Sequence, residues 1–424
     1  MRLMTRVVVF VLGPMVAGCA VPEMQRRLRA DVDAAVARSD EAAGARRYLE
    51  HRRSGGDDDD RALDALALAA LRDALRAADP GARLAAVRAA ERLDEATLFE
   101  PVTKLLGDDD EVVRAAAAAA VLHGHPDAPA VLTAALASPD AEARATAVTA
   151  LGRKVGELAA ADVRNALADA DAGVREAAIV ALASFRLEAD RARFEDLTAR
   201  DPSGPVRARA IGALGPGGVE AARAALADPY LGARLAAVDA LHRLLGDRAR
   251  PILAPLVAGA DLLVALRAAG HLGEVTEAVR AAAAALEWAV RAAAANAVRD
   301  LLDAGPLEAL AADPEPAVAL AAARALARVG RIEDARARFA AAATGLSDAQ
   351  LRVHAAADLL RLGDPLGAKA LGDLAGDADP LVRAAAVAAL PTRRPFPLAL
   401  IGALGDDSRT VRVVAAEAIL ARVR

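Results

Sequence analysis

The chain has 424 residues, 120 of them Ala, and is 55% hydrophobic but only 2% aromatic. So few bulky side chains exclude a thick globular core and require a thin interior built by closely approaching helices. Lys and Arg number 53 against 58 Asp and Glu, a formal net charge of -5, which argues against a general nucleic-acid binder. The single Cys excludes an internal disulfide and an all-cysteine metal site.

At the amino terminus, the basic stretch Met1–Arg6 precedes an apolar run, Val7–Leu12, and a small-residue segment ending at Cys19. This order predicts an export signal, too short to span a bilayer as a helix. The run Val16-Ala17-Gly18-Cys19 resembles the bacterial lipobox, whose Cys is lipid-modified and becomes the first residue of the mature chain. The resemblance implies that residues 1–18 are a lipoprotein signal peptide and that Cys19 carries a diacylglyceryl group plus an amide-linked acyl chain. At about 0.8 kcal/mol per buried methylene, such a modification anchors firmly. Loss of Arg2 and Arg6 leaves the mature chain at -7, so the body should stand off an anionic lipid surface. Ala20 rather than Asp follows the Cys; by similarity to sorting signals, a host with two membranes would hold the protein on the periplasmic face of the outer one.

Residues 19–60 read as a lipid-anchored N-terminal helix and an acidic linker. Met24, Leu28, Val32 and Val36 recur every four residues, a narrow apolar stripe suited to covering the end of a helical stack. The stretch Ser54-Gly-Gly-Asp-Asp-Asp-Asp60 lacks the alternating ligand spacing of a calcium loop. It is expected to be a solvated linker, with Asp60 capping a helix that starts at Arg61.

Residues 61–424 are expected to form an all-α superhelix of about twelve helical hairpins. The unit is clearest in Asp171-Ala-Gly-Val-Arg-Glu-Ala-Ala-Ile-Val-Ala-Leu182. Its Arg recurs at Arg83, Arg114, Arg144, Arg175, Arg207, Arg234, Arg291, Arg352, Arg383 and Arg412, with Ala265 and Ala319 in two degenerate copies, a period near thirty. The residue before this reference position, and those three and seven after it, share one helical face. The middle one is Ala in all twelve copies, which lets helix axes approach closely. Each unit continues through a turn into a second apolar helix, for example Ala128–Ala137, and a hairpin of this size needs its neighbours for burial. The unit resembles the short HEAT repeat, the variant named after phycobilisome lyases. The resemblance covers residues 79–424 and implies an α solenoid, a fold that serves adaptors, scaffolds and a few enzymes alike.

Within the unit, an Asp four residues before the Arg, as in Asp79, Asp110, Asp140, Asp171, Asp348 and Asp379, is placed to cap the helix start. The Arg column is read as a structural ladder onto acidic or carbonyl groups of the adjacent repeat, in preference to a stripe for acidic ligands. The Pro391–Pro397 loop is expected to be a long turn with Phe396 tucked into the last repeat, and the irregular stretch 251–316 to change the curvature of the stack.

For catalysis the candidates are thin. His123, His125 and Asp127 are the weak metal candidates, close in sequence but matching no helical HExxH motif. No His-Glu dipeptide occurs, whereas the iron-dependent hydroxylases built from HEAT repeats carry several, and no serine-nucleophile elbow or Walker loop is present. The sequence therefore predicts a non-enzymatic scaffold or adaptor in the cell envelope, held to the membrane through Cys19 and binding protein partners. It predicts no cofactor, no nucleic acid and no small-molecule substrate. The competing expectation is an enzyme or enzyme accessory, lyase-like or metal-dependent.

Overall fold

The computed structural model describes residues 23–272, 276–297 and 305–423. The expected signal peptide and Cys19 lie outside these residues, as do parts of the irregular stretch 251–316. Among the described residues every regular element is a helix and neighbours in sequence pack on one another, giving an all-α solenoid.

Twelve helices carry the reference position, from Pro80–Leu93 through Ala172–Phe185 to Arg409–Val423, and each takes the name of its reference residue. Local sequence starts them. Asp79, Asp140 and Asp171 adopt extended backbone and accept hydrogen bonds from the first free helical N–H groups. Between them run shorter second helices, often an α-helical turn or two prolonged by a 3-10 turn, such as Val219–Ala224 followed by Ala225–Ala227.

The Ala column explains why the stack is tight. All twelve, from Ala86 and Ala178 to Ala415, are fully buried at 0% exposure. Flanking them, Val174 and Leu182 in one repeat and Val411 and Ile419 in the last are equally enclosed. A methyl at this position lets each helix rest against the next without a groove wide enough for water.

The stack closes on itself. The Arg412 helix at the carboxyl end packs against helix α3 (Asp60–Leu75) and against the Arg83 helix, while α2 (Glu41–Arg53) packs on Leu398–Gly402 and the turn after it. One buried apolar cluster therefore runs from Ala265 to Leu420 and straight on through Val32, Tyr48 and Leu66 to Ala150. A second covers Val148 to Ala268. Approach at the seam is close enough that a Cβ on Gly405 would lie 3.1 Å from the Cα of Ala42. Helix α1 (Glu23–Ala37) covers α2 and α3 with Leu28 and Val32, so its apolar stripe seals the place where the ends join.

The acidic run departs from expectation. Only Asp57 is exposed. Asp58 is ion-paired with Arg52 and accepts from the backbone N–H of Phe396 at 2.9 Å. Asp59 is buried, pairs with Arg29 at 2.9 Å, and its N–H donates to the Tyr48 hydroxyl at 2.6 Å. Asp59, not Asp60, caps α3, which begins at Asp60. Asp60 instead meets Arg394 at 2.7 Å. The run is thus a clasp at the seam and not a solvated linker: mutual repulsion among carboxylates favours solvation only when no cations reach them, and here three Arg side chains do. Phe396, 1% exposed, is buried in the same place. Burial pushes the Tyr48 phenol up to about 12, so it stays a neutral donor and acceptor.

Candidate interaction surface: the ladder and the inner face

Each reference Arg sits one turn into its helix, where its side chain reaches back over the helix start and forward to the next repeat. Arg175 shows both contacts. Its Nε and Nη2 donate to Asp201 at 2.8 and 2.9 Å, and its Nη1 donates to the carbonyls of Asp169 and Ala170 at 2.8 and 3.0 Å. Those carbonyls lie at the end of the preceding helical segment, where a cation completes unsatisfied acceptors. The same two-pronged pairing joins Arg83 to Asp108, Arg144 to Asp169, Arg207 to Asp228, Arg291 to Asp313 and Arg383 to Asp406, at 2.7 to 2.9 Å. Arg352 stands 3.7 Å from Asp377.

Two rungs differ. Arg234 donates twice to one oxygen of Asp261. Arg114 lies 3.4 Å from Glu111 of its own helix, and that carboxylate accepts from Ser138 of the next repeat. At the seam, Arg412 bonds the carbonyl of Asp406 at 2.6 Å and reaches Asp73 at 2.5 Å. Arg409 joins it on Asp73 at 2.9 Å.

The acidic partner is the residue the sequence reading overlooked. In most rungs it lies six positions before the next reference position, and its carboxylate also accepts from the N–H two residues on, as Asp169 does from Asp171 at 2.8 Å. Such a turn fixes the carboxylate before the Arg arrives. The signal was readable, because where the Arg is missing the Asp is missing too. Ala265 would need an acid at Ala285, and Ala319 at Leu346. Hydrogen bonds from Arg144, Arg207 and Arg291 hold the carboxyls of Asp169, Asp228 and Asp313 below the ordinary range. For Asp73, burial alone would raise the value, but Arg409 and Arg412 outweigh it and the net direction is down.

On most of these helices the remaining exposed face lies two, five and nine residues past the reference, opposite the buried stripe, although Ala116, Ala119 and Ala321 at such positions are buried. It forms the inside of the curve. Arg153 and Lys154 of the Arg144 helix both contact Glu91 of the Arg83 helix, at 3.2 and 3.0 Å, across the intervening Arg114 helix. Arg88 lies 3.6 Å from Glu142 over the same helix. Side chains two helices apart meet only on a concave face, and the Ala-rich sequence Ala115–Ala120 between them leaves the path open. Further along, Arg209 faces Glu176 at 3.5 Å, Arg267 faces Asp239 at 2.9 Å, and Arg324 faces Asp358 at 2.7 Å. Arg92 meets Glu417 across the seam at 2.5 Å. His271 bonds Asp239 at 2.7 Å and stacks on His242, centroids 4.3 Å apart.

The expected metal candidates do not converge. His123 and Asp127 are exposed in the turn after the Arg114 helix, and the Asp127 N–H donates to His125 Nδ1 at 3.3 Å. Among the described residues no three His, Cys, Asp or Glu side chains are grouped to hold a metal ion. Nor, among them, is any helix long and apolar enough to cross a membrane.

A family model described as HEAT repeats matches residues 128–215. Over that segment the chain matches HEAT repeats. The matched segment holds the rungs at Arg144, Arg175 and Arg207, and the same clamp recurs in repeats on either side of it. No curated protein matches the chain in sequence. HEAT repeats generally serve as helical scaffolds for protein interactions, and that coarse role fits a long surface built from one repeated unit.

Proposed function

We propose that this protein is a lipid-anchored scaffold of the bacterial cell envelope, whose closed HEAT body holds partner proteins and performs no catalysis of its own. The observation that carries the reading is the inner face: one exposed stripe repeated from helix to helix, on a framework whose own Arg column is engaged in the ladder. Extended surfaces of this kind suit protein segments better than small substrates, which prefer deep, mostly apolar pockets. The anchoring half of the proposal rests on the lipobox-like run ending at Cys19. Glu23 opens the first described helix only four residues later, so anchoring would hold the start of α1 within ~14 Å of the lipid, at an extended-chain reach of ~3.5 Å per residue. The envelope location follows, on the periplasmic face of the outer membrane in a host with two.

Growth with labelled palmitate, followed by membrane fractionation of wild type and Cys19→Ala, tests the anchor. The wild-type chain is expected in the membrane fraction, labelled and shortened by the signal; the variant is expected unlabelled and released. Wild-type protein recovered unprocessed in the soluble interior would defeat this proposal.

A further inference from the structure

Charge is distributed unevenly between the inner face and the rest of the molecule. From the residue after the reference position to its end, each inner helix contributes to a total of eleven Lys or Arg against five Asp or Glu. The five acids are Glu91, Glu176, Asp239, Asp358 and Glu417, and Glu142, which faces Arg88 from the start of the Arg144 helix, is a sixth on this face. The whole chain is -5, so the excess of positive charge inside is opposed by a strongly acidic exterior. The ion pairs described above do not cancel it, because acids are shared: Glu91 serves Arg153 and Lys154, and Asp358 serves Arg324 and Arg361. The cations remain accessible, with Arg88, Arg153, Arg209, Arg267 and Arg361 side chains between 47% and 72% exposed.

An evenly closed ring of the twelve inner helices would leave room for a chain in front of these groups. Twelve helices at an interaxial spacing of ~9 Å enclose a circle of axes roughly 35 Å across. Subtracting one helix diameter of ~10 Å leaves an opening of about 25 Å, which side chains narrow further but which admits a helix or an extended segment. A concave, low-dielectric wall with a net excess of one sign concentrates the field over such an opening.

We propose that the central opening binds an acidic segment of a partner protein, seated against the basic stripe of the inner helices. This deepens the scaffold reading and rests on it. An acidic polypeptide satisfies both features of the surface: it brings the complementary charge, and it presents carboxylates at intervals that exchange with the shared acids already paired there. The acidic exterior disfavours docking of the same segment elsewhere.

The test uses the full-length chain in a non-ionic detergent and fluorescence anisotropy with three labelled probes: a twenty-residue poly-Glu peptide, a poly-Lys peptide of equal length and a twenty-nucleotide oligo-dT. Poly-Glu is expected to bind, with affinity falling as salt rises. Replacing Arg88, Arg153 and Arg209 together with Gln is expected to weaken it on the order of tenfold. Replacing the exposed Arg27, Arg200 and Arg223 on the other elements with Gln is expected to leave it unchanged. Thermal melting should be the same for both triple variants, since exposed pairs contribute little to stability.

Absence of poly-Glu binding overturns the proposal, as does equal loss in the two triple variants. Tighter binding of oligo-dT than of poly-Glu overturns it in favour of a nucleic-acid ligand. In intact cells, a photocrosslinking residue at the inward Val180 is compared with one at Leu158, which is 92% exposed on the outer elements. Capture from Val180, lost in the Arg88, Arg153 and Arg209 variant, supports the inference. Capture from Leu158 alone keeps the scaffold and sinks the inference, and capture from neither removes both.

Discussion

At the joint between the Arg175 helix and its successor, the clamping partners Arg175 and Asp201 stand 26 residues apart. At the joint between the last helix and the first, Arg412 and Asp73 stand 339 apart. The chemistry is alike, a guanidinium bridging a helix end and an aspartate across an Ala-lined seam. The connecting chain is not. For a flexible chain the longer closure costs roughly 2 kcal/mol more, and the distant joint carries extra bonds: Arg409 on the same Asp73, Arg92 on Glu417, Arg394 on Asp60 and the Phe396 N–H on Asp58. The comparison teaches that local rungs suffice inside a stack, whereas joining its ends takes a reinforced contact that local sequence does not specify.

The largest expected effect separates a closed from an open stack. Truncation after Ser408 removes the Arg412 helix, which buries Val411, Val413, Ile419 and Leu420. At ~1.5 kcal/mol or more for each such side chain, the loss is roughly 6 kcal/mol. In a closed stack, hydrogen exchange should quicken in α3 and the Arg83 helix as well as beside the cut. Quickening confined to the residues next to the truncation would show the ends to be independent.

Next in size is an interior rung. The Arg175 and Asp201 side chains are 10% and 3% exposed, so Arg175→Ala strands a buried carboxylate and should cost about 3 kcal/mol in urea denaturation. An unchanged midpoint would show that the ladder does not stabilise the stack.

Acid probes both kinds of joint together. Because the folded-state values of Asp73, Asp169, Asp228 and Asp313 are lowered from 3.8, their contribution is fully present above that value. It is lost as pH falls through the lower folded values. Stability should therefore be level from neutrality to about pH 5 and fall below about pH 4. Asp73→Asn should flatten the part of that fall reported by probes at the seam, leaving probes at the Arg175 rung unaffected.

The smallest effect belongs to the rim of the seam. Arg92 is 57% exposed where it meets Glu417, so Arg92→Gln should cost under ~1 kcal/mol. A larger loss would mean that the seam depends on this pair more than an interior joint depends on its exposed ones.

Much of the architecture could be read from the residues themselves. The Arg column, the Asp caps and the Ala positions are local patterns, repeated within one helix turn, and period alone reveals them. The Asp partners six residues before the next reference position were equally local and were missed because the first Asp of each pair looks like one more turn residue. Their absence after Ala265 and Ala319, the two copies in which Ala replaces the Arg, gives them away. Closure was out of reach. It arises from a small rotation per repeat summed over twelve units, and a slight change in each would leave the ends apart. The acidic run misled for a related reason, since Arg394 approaches it only after the chain has come full circle, while Arg29 and Arg52 reach it through the packing of α1, α2 and α3 on one another. On the inner face, each Arg taken singly resembles an ordinary surface charge, and the excess emerges only when helices far apart in sequence share one wall.

The clasp around Tyr48, Asp58 and Phe396 bears on how the molecule would respond to a protease. In a linear array, one nick in an outer turn such as Gly215–Gly218 would divide the repeats into two pieces joined across a single interface, and thermal motion could part them there. Here each piece would still grip the other at its far side, through the clasp and the Arg412 clamp. A singly cleaved molecule should thus migrate as intact until a denaturant is added, and only a second cut would let a fragment go.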